Sequence, residues 1–527
     1  ALKSGKTYRT WAEFDERADG VARTLLDAGL GHQDKVAQYL YNCNEYIESL
    51  FGCFKASLVP VNTNYRYTDK ELAYLWENAD AAAIVFHGAF TSRVDALRGE
   101  LPLVKCFLHV DDGTEPCPDW AIPYETAAAA AAPGSGVERP VRGPSGLSGD
   151  DLYMLYTGGT TGMPKGVMWR QDDLFTVIND GSPAKLPVEQ GRDALAAAIE
   201  GFGAMGVSLM PACPLMHGTG AFTTVAALNA GGCVVTLPDR QFSAARLLEV
   251  IAEEKVNIVT IVGDAFARPI LAELDAHPGH YDISSLFAMI SSGVMWSEET
   301  KQGLLRHHPA MLLIDVFSSS EAIGLGQSVS TAGSEAHTAT FTPGRGAIVI
   351  DDDGRRLENG SPETGRLTIA GRVPVGYYKD PEKSARTFPV IDGVRYSVPG
   401  DYATIDAEGT VHVLGRGSLV INTGGEKVFP EEVEEAIKTH PAVADAAAVG
   451  LPDERFGETV CALVELKPDL SGPAPTAEEI VEHVREQIAA FKAPRRIVFV
   501  PSVGRSPAGK LDYGTLKETA VAEAAAS

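Results

Sequence analysis

Hydrophobic and polar positions along this chain lay out helices alternating with short apolar strands. Over residues 11–30, Trp11, Phe14, Ala18, Val21, Leu25 and Leu26 recur at helical spacing and stop at Gly29. Residues 45–57 predict a second amphipathic helix. Apolar runs then recur between helical segments, at 82–86, 105–110, 233–237, 257–262 and 312–316. That alternation predicts an α/β architecture with buried strands. The pattern changes after about residue 340, where 346–351, 366–370 and 411–414 read as short strands in a small β-rich subdomain. From 417 a compact α+β unit is predicted. Pro430 with Glu431 and Glu432 begins a helix, His440-Pro441 ends it, and 477–490 gives another. Residues 127–147, rich in Ala, Pro and Gly, read as a surface connection.

One stretch, 201–238, carries no Asp, Glu, Lys or Arg. It also holds Pro211, Pro214, His217 and seven glycines, and never forms an apolar run long enough to cross a membrane. It reads as buried core or pocket lining. Its small residues, among them Gly201, Gly206, Gly218 and Gly220, would leave room for a ligand.

Length and charge narrow the picture. A chain of 527 residues exceeds what one core usually serves, so at least two domains are expected. Seventy acidic against 45 basic residues give a net charge of −25. That balance argues against nucleic acid, whose phosphates reward a basic face, and against an anionic membrane surface. Any anionic ligand must be met by local positive charge. Seven scattered cysteines form no CxxC pair, which suggests neither zinc nor a disulfide framework. No cleavable signal pattern opens the chain, and a cytoplasmic location is the expectation.

The densest chemical signal is LYMLYTGGTTGMPKGVM at 152–168. An apolar strand runs into a loop of Gly and Thr closed by Lys165. Glycines bring backbone amides close to an anion, hydroxyls add donors, and the lysine adds charge. An NTPase P-loop needs Gly-Lys-Ser/Thr at its end; here Gly162 is followed by Met163-Pro164-Lys165, so that match fails. The loop instead resembles the signature of the adenylate-forming superfamily of acyl-CoA synthetases, peptide-synthetase adenylation domains and luciferase. The usual pattern has Ser where this chain has Gly158.

Further segments carry the same resemblance. CPLMHGTG (213–220) matches the family's second landmark, with His217 at its histidine. DVFSSSEAIG (315–324) aligns with Tyr-Gly-x-Thr-Glu. The resemblance implies that Phe317 stacks on adenine, Ser318 and Ser319 line the nucleotide site, Ser320 bonds phosphate, and Glu321 holds Mg²⁺ together with Thr160. Asp401, in YSVPGDY, matches the acceptor from the ribose hydroxyls, and Arg416 matches the arginine near ribose and phosphate. Ser418 falls at the inter-domain hinge, where it and Leu419 depart from the common pattern. Gly424 and Gly425 match the turn lining the pantetheine tunnel, and Lys510 the mobile catalytic lysine.

The implied fold is a large N-terminal domain of two flavodoxin-like αβ subdomains plus a small β-barrel, followed by a small mobile α+β C-terminal domain. The implied boundaries are 1–416, the ATP- and acyl-binding domain, and 417–527. The implied catalytic set is Lys510, His217, Glu321, Thr160 and Lys165. The nucleotide and CoA contacts would come from Thr157, Gly158, Gly159, Thr161, Gly162, residues 317–320, Asp401, Arg416, Gly424 and Gly425. ATP, Mg²⁺ and coenzyme A are the implied cofactors. The implied reaction joins a carboxylic acid to CoA through an acyl adenylate, with loss of pyrophosphate.

The expected pocket walls, 204–222, 262–266, 291–297 and 317–323, are small or apolar and suit a hydrophobic monocarboxylate. A long-chain or steroid-side-chain acid is favoured, with a medium-chain or aryl acid as the alternative. Asp264 is expected to cap a helix over 265–274. A catalytically dead acyl-nucleotide binder is the alternative from another class, and a homodimer is left open. Between Gln487 and Lys510 there is no acidic residue, while Lys492, Arg495, Arg496, Arg505 and Lys510 are basic. This arm is the expected counterweight to the overall negative charge.

Overall fold

The protein is described from a computed structural model. It covers residues 1–527 apart from 160, 161, 183, 238, 295, 335–337, 424, 425, 454–456, 469, 471, 507, 508 and 527. At 158, 159, 162, 416, 418, 422, 426, 427, 457, 525 and 526 only the backbone is described. Thr160, Thr161, Gly424 and Gly425 thus lie outside the described residues, as do the side chains of Arg416 and Ser418.

Two compact units result. One comprises Ala1–Thr338 with Ile369–Ser397, the other Ala339–Thr368 with Val398–Ser527. The β-rich segment after 339 therefore groups with the C-terminal residues, and compactness alone does not divide the chain at 416/417.

The first unit contains two sheets of the same topology. In one, the parallel strands Val59–Asn62, Lys35–Tyr39, Ala81–His87, Cys106–Val110 and Ile122–Pro123 lie side by side in that order. In chain order this is 2-1-3-4-5, the flavodoxin-like arrangement. The antiparallel hairpin Leu152–Gly159/Gly162–Arg170 extends it beside Val59–Asn62. Both faces are buried: Val36, Ala83 and Val85 enter one core, Ala37, Ile84 and Phe86 the other. That is why these strands read as apolar runs rather than as alternation.

The second sheet repeats 2-1-3-4-5 with Cys233–Thr236, Ser208–Pro211, Ile258–Ile261, Ala288–Ser292 and Leu312–Ser319, all parallel. The N-terminal strand Leu2–Ser4 joins its edge against Cys233–Thr236. The predicted helices fall at Trp11–Asp27 and Asn44–Lys55. A capping box, Thr10 with Glu13, starts the first, and Phe14, Ala18, Val21 and Leu25 form its buried stripe. Trp11 is exposed.

Residues 127–147 run mostly over the surface, as expected of a connection, but are pinned to the core at a few points. Ala127, Ala128, Ala131 and Val141 are buried. The backbone docks on the first helix so closely that a Cβ on Gly20 would lie 2.1 Å from the Ala128 carbonyl oxygen. Small side chains here permit close packing rather than solvation.

In the second unit, the long hairpin Val443–Asp453/Gly457–Leu466 is covered on both faces. Ala446, Ala448, Val460 and Val464 face a core shared with the helices Pro430–Lys438 and Ala477–Gln487. Ala447, Val449, Cys461 and Leu463 face the helix Tyr513–Ala526 through Leu516 and Ala520. This is the α+β unit the sequence predicts. No helix among the described residues is long and apolar enough to cross a membrane.

Candidate active site

In open α/β sheets, ligands bind beyond the carboxyl ends of the strands, where the strand order reverses. The second sheet places its motifs there. Ser208–Pro211 leads into Cys213–Gly220, Ile258–Ile261 into Gly263, Ala288–Ser292 into Gly293, and Leu312–Ser319 into Ser320 and Glu321. Four segments far apart in sequence thus leave one sheet edge in register.

Two asparagines, half-buried Asn42 and buried Asn62, unmarked by any motif, hold the His217 segment. The Asn42 amide donates to the carbonyls of Pro211, at 3.3 Å, and Cys213, at 3.0 Å, and its oxygen accepts from Leu215 N at 2.7 Å. Asn62 donates to the carbonyls of Met216, at 2.7 Å, and Tyr156, at 2.9 Å, and accepts from Tyr156 N at 2.6 Å. Asn62 therefore fixes both the strand that feeds the Gly/Thr loop and the residue before His217. His217 stands at the N-cap of the helix Gly218–Asn229. The helix begins tight against its own loop: a Cβ on Gly220 would lie 2.6 Å from the Pro214 carbonyl oxygen.

The Gly/Thr loop is the tip of the hairpin, where Thr157 pairs with Lys165 and Gly159 with Gly162. Lys165 Nζ donates to Asp380 Oδ2 at 2.9 Å. The short strand Gly376–Tyr377 pairs with Met168 and Val167 of the same hairpin, and Tyr377 connects the loop to the Glu321 turn. Its hydroxyl donates to Glu321 Oε1 at 2.8 Å, and Lys165 Nζ sits 5.9 Å from its ring centroid.

The 317–324 turn is pinned at several other atoms. The indole of fully buried Trp169 donates to the Ser320 carbonyl at 2.9 Å. Ser397 Oγ donates to the Glu321 carbonyl at 2.6 Å, and Ser318 Oγ accepts from Gly324 N at 2.9 Å. Ser319 Oγ is buried with no hydrogen-bond partner among the described residues. A buried hydroxyl left open costs free energy unless a ligand answers it, so this atom fits a bound nucleotide. Glu321 offers a hard oxygen donor, and Mg²⁺ needs one or two carboxylates beside substrate phosphates and water.

Asp264 does not cap its helix. The helix Gly263–Ala276 starts two residues before the expected 265, with Val262 at its N-cap. Asp264 instead accepts from Arg268 Nε and Ser297 N, both at 3.1 Å. Behind this wall, fully buried Lys301 pairs with Asp315 at 3.1 Å and lies 5.5 Å from the Trp296 ring. Arg268 and Lys301 are thus matched by carboxylates, in keeping with expected walls suited to an uncharged tail.

The remaining predicted residues lie on the second unit. Asp401, 6 % exposed, opens the strand Asp401–Ile405 directly opposite Arg416 in the partner strand. Lys510 is exposed at the end of a closed turn. Ser506 N donates to the Lys510 carbonyl at 2.8 Å, Lys510 N donates to Ser506 Oγ at 3.1 Å, and Gly509 N donates to the Ser506 carbonyl at 2.7 Å. Arg505 grips Asp445 with two donors, at 2.5 and 3.0 Å, and the Gly509 carbonyl with a third at 3.1 Å. Lys492 binds Glu432 at 2.6 Å. Lys492 and Arg505 of the basic arm are therefore matched by carboxylates of their own unit, which weakens the arm as a counterweight to the overall negative charge.

The strand-end placement and the meeting of Lys165 with Glu321 on Tyr377 mark the candidate site of a doubly wound α/β fold. The AMP-binding enzyme family matches residues 1–378, and the AMP-binding enzyme C-terminal domain matches 432–510. The chain belongs to the AMP-binding enzyme family. It is 40% identical over 530 residues to a 3-oxocholest-4-en-26-oate–CoA ligase of Rhodococcus rhodochrous, covering 98% of this chain and 92% of that one. It is also 40% identical over 536 residues to the medium-chain acyl-CoA ligase Mig of Mycobacterium avium, covering 98% and 94%. Among solved structures, ATP-bound MatB from Rhodopseudomonas palustris aligns with TM-score 0.79 at 25% identity, over 98% of this chain and 95% of that one. The anthranilate CoA ligase AuaEII in complex with anthranoyl-AMP aligns with TM-score 0.82 at 22% identity, over 100% and 95%, and shares the fold.

Proposed function

We propose that this protein is an ATP-dependent acyl-CoA ligase that activates a hydrophobic monocarboxylic acid, a steroid-side-chain or long-chain fatty acid in particular. The observation that carries the reading is the convergence of Lys165 and Glu321 on Tyr377 at the strand ends. Its support is likeness, over nearly the whole chain, to ligases named for such acids. The apolar walls, with Arg268 and Lys301 matched by Asp264 and Asp315, agree with a substrate that carries one carboxylate.

The substrate carboxylate attacks the α-phosphorus of ATP and pyrophosphate leaves with the bonding pair. The protein's part is positioning and neutralisation of charge. Thr157 and the glycines of the 158–162 loop cradle phosphate, Lys165 leaves Asp380 for phosphate, and Ser319 and Ser320 offer hydroxyls. Phe317 stacks on adenine, His217 lies between phosphate and carboxylate, and Asp401 and Arg416 hold the ribose side. Glu321, with Thr160, would hold Mg²⁺, which when bound would supply neutralisation of phosphate charge. Lys510 reaches the α-phosphate and carboxylate. After rotation of the segment beyond 417, CoA enters past Gly424 and Gly425 and its thiol takes the acyl group. The location is cytoplasmic.

The test is product analysis with a panel of steroidal, fatty and aryl acids. Acid-dependent AMP and pyrophosphate, followed by a CoA thioester, is the expected result. ADP and phosphate would mean an ATPase, and no turnover with any acid would mean a binding protein.

A further inference from the structure

Lys383 has no place in the motifs above, yet it faces the same centre. It belongs to the short helix Pro381–Thr387, whose N-cap Asp380 accepts from Lys383 N at 3.0 Å through Oδ1. The other oxygen of Asp380 holds Lys165 Nζ at 2.9 Å. Lys383 Nζ lies 4.9 Å from the Tyr377 ring centroid, and Lys165 Nζ lies 5.9 Å from the same ring. Two ammonium groups therefore converge on one aromatic side chain whose hydroxyl is committed to Glu321.

The local carboxylates do not satisfy both cations. Asp380 is spent on Lys165 and on a backbone amide, and Glu321 accepts from Tyr377. Among the described residues Lys383 Nζ has no carboxylate within ion-pair distance. Burial, and then the neighbouring Lys165 ammonium, push the Lys383 pKa below the usual lysine range. Like charges held together in this way cost free energy that a bound polyanion recovers.

We propose that Lys383 is a second phosphate-binding cation, which with Lys165 grips the β- and γ-phosphates of ATP and then the departing pyrophosphate. The inference rests on the adenylation reading above. As the bond between the α-phosphorus and the bridging oxygen breaks, the electron pair leaves with pyrophosphate, and Lys383 meets that charge without transferring a proton. A single lysine beside one carboxylate would be a poor trap for a highly charged leaving group. Two neighbouring ammonium groups beside one ring match its spread of charge.

The experiment compares wild type, K383A and K383R by titration with Mg-pyrophosphate alone, and by acid-dependent ATP–pyrophosphate exchange. K383A is expected to weaken pyrophosphate binding about tenfold and to raise the pyrophosphate KM in exchange by a similar factor. The acid KM and thioester formation from supplied acyl adenylate stay unchanged, K383R recovers most of the loss, and the melting midpoint is retained. Equal pyrophosphate affinity in wild type and K383A overturns the role of Lys383. Absence of acid-dependent exchange in wild type would instead overturn adenylation, while the direct titration still decides Lys383.

Discussion

The Tyr377 hydroxyl donates to Glu321 Oε1 at 2.8 Å, so the carboxylate expected to meet Mg²⁺ is aimed by a residue 56 positions away. A hydrogen bond to a charged group contributes about 1.5–3 kcal/mol. Tyr377→Phe keeps the ring beside Lys165 and Lys383 and removes the hydroxyl that makes that bond. The Mg²⁺ concentration for half-maximal adenylation is expected to rise about tenfold. Thioester formation from supplied acyl adenylate should change little. An unchanged Mg²⁺ titration would separate Tyr377 from the metal site.

Asn62 carries a second prediction. Asn62→Ala removes bonds to Tyr156 and Met216 and leaves the buried Tyr156 N without its acceptor. Orphaning one buried amide costs about 1–3 kcal/mol, so a lower melting midpoint is expected. Exchange activity should fall further than stability alone explains, because the Gly/Thr loop and His217 lose a common anchor. A variant with a lower midpoint but full activity at low temperature would reject that anchoring role.

The Lys510 turn supplies a third. Lys510→Ala is expected to abolish acyl-adenylate formation and spare thioester formation from supplied adenylate. Asp445→Asn should give a milder form of the same split, since it loosens the Arg505 grip on the Gly509 carbonyl. Adenylation is expected to fall about tenfold, with a stability loss of about 3 kcal/mol from a partly buried, unpaired arginine. Equal loss in both half-reactions would remove Lys510 from the first step.

His87 gives a pH prediction. Its ring is buried and Nδ1 accepts from Tyr41 N at 3.1 Å. Burial lowers its pKa from 6.5 to about 4. The folded state thus resists a proton that the unfolded chain accepts. The neutral ring contributes stability that is fully present above pH 6.5 and is lost as pH falls toward 4, about 3 kcal/mol in all. His87→Asn keeps an acceptor for Tyr41 N and cannot titrate there. Its melting midpoint should decline less steeply than that of wild type between pH 6.5 and 4, as measured by scanning calorimetry. Parallel declines would assign the acid sensitivity elsewhere.

Much of this site is legible in the sequence because motif residues cluster at single strand ends. Residues 157–165, 213–217 and 317–321 each read as a unit, and each falls where one strand stops. Asn42, Asn62, Tyr377 and Lys383 carry no such signal, because their meaning lies in contacts across long separations. Asn62 reaches partners 94 and 154 residues away. A lone Asn in an apolar strand looks the same whether it anchors a catalytic loop or merely satisfies its own backbone. Asp264 was misleading for the opposite reason. Local spacing suggested a cap, whereas a neighbouring helix supplied a better donor at Ser297 N. In sequence the basic arm is a plain sum of charges, but Glu432 and Asp445, from other elements of the same unit, meet two of them.

The repeated 2-1-3-4-5 sheet also bears on how substrate range can diverge. The expected acyl walls at 262–266 and 291–297 hang from two strands, while the Ser320–Glu321 turn hangs from the next. The two wall segments are tied to each other, through Gly263 N to Ser291 Oγ and Ser297 N to Asp264, and neither makes the bonds from Trp169 and Tyr377 that hold the turn. Exchange of one wall loop therefore leaves the parallel ladder, the Trp169 bond to Ser320 and the Tyr377 bond to Glu321 in place. A change of acid selectivity confined to those walls would thus leave untouched the bonds that hold the Ser320–Glu321 turn.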